Sequence, residues 1–74
     1  MNLTDRLTAL FVRAGINTRR VSVIGSFVHV DTYEKYENKL MDAMTTAGFV
    51  IVQKSNGVHL DGVDGFRMVF KVKD

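Results

Sequence analysis

The chain reads as an α+β fold of the order αββαββ (helix, hairpin, helix, strands), with one antiparallel sheet of about four strands and two helices on one face. Three observations predict it. Residues 4–14 and 32–47 carry apolar side chains at helical spacing. Residues 19–31 and 65–73 alternate apolar and polar residues, as half-buried strands do. Glycine stands near the points where one pattern gives way to the next. With 74 residues, 46% of them hydrophobic and 24% charged, the composition suits one small domain, so residues 1–74 are expected to form a single unit.

In the first helix the apolar stripe is Leu3, Leu7, Leu10, Phe11 and Ala14. Thr4 is the expected cap and Asp5 favours the positive end of the dipole. Gly15 ends the helix, and Ile16 is placed to fold back as the apolar contact of a Schellman close.

The run RRVSVIGSFVHVD, residues 19–31, has Gly25-Ser26 at its middle. A two-residue turn there sets Ile24 against Phe27, Val23 against Val28, Ser22 against His29, Val21 against Val30 and Arg20 against Asp31. Val21, Val23, Val28 and Val30 then share one face, and Arg20, Ser22, Ile24, Phe27, His29 and Asp31 the other. A single unbent strand would bury apolar groups on both sides, so the hairpin is the better arrangement.

Asp31-Thr32-Tyr33-Glu34 has the pattern of a capping box. It predicts a second helix over 32–47 with Tyr33, Tyr36, Leu40, Met41, Met44 and Ala47 inward, closed by Gly48 and Phe49. FVIVQK, residues 49–54, and GFRMVFKVK, residues 65–73, read as strands. Residues 55–65 read as a long, partly stranded connection, because a turn at Asn56-Gly57 sorts no faces.

Both histidines occur in one setting, VHVD at 28–31 and VHLD at 58–61. The echo suggests an internal repeat of a helix-plus-hairpin unit. A His and an Asp two apart on a strand share a face, so two such pairs would offer ligands to a metal, or one pair a general base. Local roles weigh against both: Asp31 is expected as a cap, Asp61 opens an Asp-Gly turn, and His29 lies on an outward face. No catalytic residue, metal or cofactor is therefore expected, and the chain is not read as an enzyme.

Charge is nearly balanced, ten basic residues against eight acidic, a net +2. Arg13, Arg19, Arg20, Arg67, Lys71 and Lys73 are the candidates for a nucleic-acid contact. One resemblance points the same way. LMDAMTTAGFVIVQKSNGVHLDG, residues 40–62, is similar to the helix, Gly-aromatic, strand, Gly-x-His run of HicA-type toxins. Those are small ribonucleases with a double-stranded-RNA-binding-like fold. The resemblance implies an RNA partner and His59 as the catalytic candidate. In that family the histidine follows Gly-Ser directly, whereas here Val58 separates Gly57 from His59.

The leading expectation is a non-enzymatic binding protein. Ile24, Phe27 and Val69 lie on a sheet face that so short a chain has no third layer to cover. With Arg20, Arg67 and Lys71 they make an apolar patch with a basic rim, suited to another protein or to a second copy in a homodimer. By analogy, small proteins of this kind act as inhibitors or accessory proteins of phages and mobile elements. The absence of cysteine, of a basic n-region with an apolar h-region and of long apolar runs leads to the expectation of a cytoplasmic protein without a membrane partner.

Overall fold

The computed structural model describes residues 2–60 and 62–73, with the side chains of 58–60 left aside. Helix α1 spans Leu3–Arg13. Its cap is Asn2, not Thr4: the Asn2 side-chain oxygen accepts from the Asp5 N–H at 2.8 Å. Leu3 already has helical backbone, so the residue before it takes the cap, and asparagine is among the best residues there. At the other end the Ile16 N–H donates to the Phe11 carbonyl and the Gly15 N–H to that of Val12. This is the Schellman close, with Ile16 buried against the core.

Strands β1 (Thr18–Ile24) and β2 (Phe27–Tyr33) form the expected hairpin. The register is the one the turn dictates, from Ile24 opposite Phe27 to Arg20 opposite Asp31. Gly25 has φ +61°, the positive value that the first central position of such a turn requires. Arg19 forms a bulge between Thr18 and Arg20.

The second helix begins later than the capping-box pattern suggests. β2 continues through Asp31 and Thr32 to Tyr33, because each of these residues pairs with a later strand. A 3₁₀ turn over Glu34–Tyr36 follows, and α2 spans Glu37–Thr46. Asp31 is thus a strand residue and not a cap. Leu40 and Met44 form the buried stripe of α2, with Tyr36, Met41 and Ala43 packed beside them.

β3 (Phe49–Leu60) and β4 (Val63–Val72) make a second, longer hairpin. The expected connection over 55–65 is mostly strand, and Leu60 pairs with Val63. Asn56-Gly57 is not a turn; the register shifts there, and again between Ile51 and Gln53. Asp61, expected to begin an Asp-Gly turn, lies outside the described residues.

The strands lie in the order β1-β2-β4-β3, all antiparallel, and both helices cover one face. On that face Val28 opposes Phe70, Val30 opposes Met68 and Thr32 opposes Phe66. These six side chains are essentially fully buried, together with Phe11, Leu40 and Met44. Thr32 is tolerated there because its hydroxyl donates to the Asn17 carbonyl at 2.6 Å. The fold is α+β, as expected. No helix among the described residues is long and apolar enough to cross a membrane.

Candidate functional site

Among the described residues no helix or strand layer covers the other face of the sheet. The registers of the three strand pairs place its side chains in rows. At the end near the first hairpin turn the row reads Ile24, Phe27, Lys71, Val50. The next is Ser22, His29, Val69, Gln53. The third is Arg20, Asp31, Arg67, Ser55. Strand alternation alone keeps these groups on one side.

The first row is the exposed apolar one. Ile24 is 61% exposed and Phe27 42% exposed, directly opposite one another beside the turn. Val50 at the far end of the row is half-buried. Val69 differs from expectation: it is only 9% exposed. It sits on an interior strand, between His29 and Gln53 in register and between Arg67 and Lys71 along β4. Such flanking side chains shield a small valine, so it supports the face rather than offering contact area.

The third row holds a structure that the sequence did not suggest. Asp31 is 5% exposed although it lies on the open face. The Arg67 Nε donates to its Oδ1 at 2.7 Å and Nη2 to its Oδ2 at 3.1 Å. This paired geometry is the strongest that arginine makes with a carboxylate. The hydrogen bond and charge of Asp31 push the Arg67 guanidinium above its ordinary pKa. Arg67 is therefore a cation fixed in place by a buried partner, not a freely moving rim residue. Its side chain remains 44% exposed.

The other cations divide between two sides of the molecule. Arg20 and Lys71 are exposed on the open face, and Lys73, just past β4, donates its backbone N–H to the Gly48 carbonyl. Arg13 is at the end of α1, in the helix layer, and Arg19 occupies the β1 bulge. Arg13 in the helix layer is thus set apart from Arg20, Arg67 and Lys71 on the open face. On the helix side Lys54 pairs with Glu37 and lies over the Phe66 ring, 5.4 Å from its centroid.

The two histidines are kept apart. His29 pairs with Val69 and His59 with Asp64, so they meet β4 five residues from one another. That is roughly 17 Å along a strand, whereas metal ligands lie about 2 Å from their ion. One ion cannot bridge the two positions. The echoed motifs also fall on unlike places, VHVD within β2 and the His of VHLD near the end of β3. The HicA-like run maps onto α2 and β3, with its Gly57 in a bulge and both described helices preceding β3. Among the described residues no group of three His, Cys, Asp or Glu side chains is placed to hold a metal.

No family model matches the chain, and no curated protein is significantly similar to it.

Proposed function

We propose that this chain is a non-enzymatic binding protein that docks on a partner protein through the open face of its sheet. The observation that carries the reading is the exposure of Ile24 and Phe27, side by side on a face held in register by four strands. Anchoring residues at protein interfaces are commonly aromatic or large apolar groups surrounded by polar and charged neighbours. Here Lys71 and the first hairpin turn border the apolar pair, and the Arg20–Asp31–Arg67 row lies beyond it.

A photoreactive phenylalanine analogue in place of Phe27, incorporated in cells of the native host, tests the proposal. The same analogue at exposed Thr45 on α2 is the control. Irradiation is expected to join position 27, and not position 45, to a defined protein. A second reading, nucleic-acid binding, is favoured by one observation: among the described residues of the strand rows, Arg20, Arg67 and Lys71 share the open face with a single carboxylate, Asp31. Crosslinking of position 27 to nucleic acid alone would shift the assignment to it. No crosslink at position 27 to any macromolecule would defeat the proposal.

A further inference from the structure

Among the described residues of the strand rows, the cations of the open face and the one acid beside them are not arranged as a balanced surface. Asp31 is buried and already committed to Arg67. What the described strand rows present outward is therefore an apolar pair with Lys71 beside it in the first row, and Arg20 and Arg67 two rows on. We infer that the face is built for an acidic polypeptide surface and not for a second copy of this chain. The inference rests on the docking reading above and adds the chemistry of the partner.

Three features support it. In a two-fold pairing a patch meets itself, so two copies would bring Arg20, Arg67 and Lys71 against one another with no free carboxylate in the strand rows between them. Like charges brought together across an interface oppose association. Arg67, moreover, is already oriented. A guanidinium has five N–H donors; Asp31 accepts two, and the remaining three belong to a half-exposed group whose position is fixed before a partner arrives. A partner carboxylate is the natural acceptor for them.

The third feature separates polypeptide from nucleic acid. Phe27 is the one aromatic ring of the first row, set among aliphatic Ile24 and Val50 and the cation Lys71, so successive bases would find no run of rings to stack on. The cations are also dispersed. Lys71 and Arg67 stand four residues apart on β4, roughly 13 Å, and Arg20 lies two strands from Arg67, roughly 10 Å. That is a set of corners and not a track along a phosphate backbone.

The test uses the intact chain, isotope-labelled for amide NMR, titrated at low salt with a random copolymer of glutamate and tyrosine. Polylysine and a single-stranded oligo-dT serve as comparison probes. Shifts confined to residues 20–31 and 67–71 with the acidic copolymer are expected. The Arg20→Gln, Lys71→Gln double variant, whose amide dispersion reports that it remains folded, should bind about 10-fold more weakly. Sedimentation should show a monomer. Copolymer binding that ignores this face, tighter binding of oligo-dT, or a dimer closed through Phe27 would each overturn the inference. A protein crosslink at position 27 alongside any of the first two results would leave docking standing and remove only the acidic partner.

Discussion

At the scale of single residues, the Asp31–Arg67 pair shows how a polar group is kept on an otherwise open face. A carboxylate only 5% exposed requires a partner, because burying an unpaired charge is far more costly than pairing it. Arg67 supplies two parallel N–H donors that a lysine cannot imitate. Arg67→Met should leave that carboxylate without its hydrogen bonds. Water reaches the half-exposed arginine site, so the loss belongs at the lower part of the usual range, about 1–2 kcal/mol in urea unfolding. Arg67→Lys should recover only part of it, and equal stability of all three proteins would show the pair to be incidental. The effect should not depend on pH through Arg67 itself. A guanidinium whose folded pKa lies above its unfolded one keeps its stabilising charge at neutral and moderately alkaline pH and loses it only in strongly alkaline solution.

At the scale of elements, the contrast between the two hairpins explains what local sequence reveals. The first hairpin has strict alternation on both sides of one glycine turn, so its register, its buried valines and the exposure of Ile24 and Phe27 were readable beforehand. In the second, the bulges at Val52 and at Gly57 each insert a residue and reset which side faces the helices. Period-two alternation therefore fails across residues 49–60, and the part of the strand beyond Lys54 looks like a connection. Asp31 was misread for a different reason. Its capping-box neighbours lie within three residues, whereas the partner that claims it is 36 residues away. The shielding of Val69 by its neighbours is likewise a product of assembly. Gly57 makes the bulge testable. Its φ is +77°, and an added Cβ would meet nothing within 4 Å. The cost of Gly57→Ala is thus conformational, about 1–2 kcal/mol in urea unfolding. Amides of β3 beyond the bulge should lose hydrogen-exchange protection first. Unchanged stability would mean that the bulge relocates freely.

At the scale of the whole molecule, one sheet carries two faces with opposed duties, and mutation should separate them. Phe70 is 1% exposed and lies under the helices on the strand next to Val28. Truncating such a ring leaves a cavity and typically costs about 3–5 kcal/mol. A chain of this size has a thin core and a total stability near the bottom of the usual 5–15 kcal/mol, so Phe70→Ala should leave little or no folded protein at room temperature. Ile24 and Phe27 belong to the same sheet but face solvent. Replacing both with threonine keeps β-propensity and avoids setting two carboxylates opposite one another, which would weaken the hairpin for an unrelated reason. The Ile24→Thr, Phe27→Thr protein should stay within about 1 kcal/mol of the parent, since only an exposed cross-strand pair is lost. Its partner binding, followed by a photoreactive group at Lys71, should nevertheless fall away. If those two threonines instead unfold the chain, the apolar end of the open face serves stability, and a docking role for it loses its support.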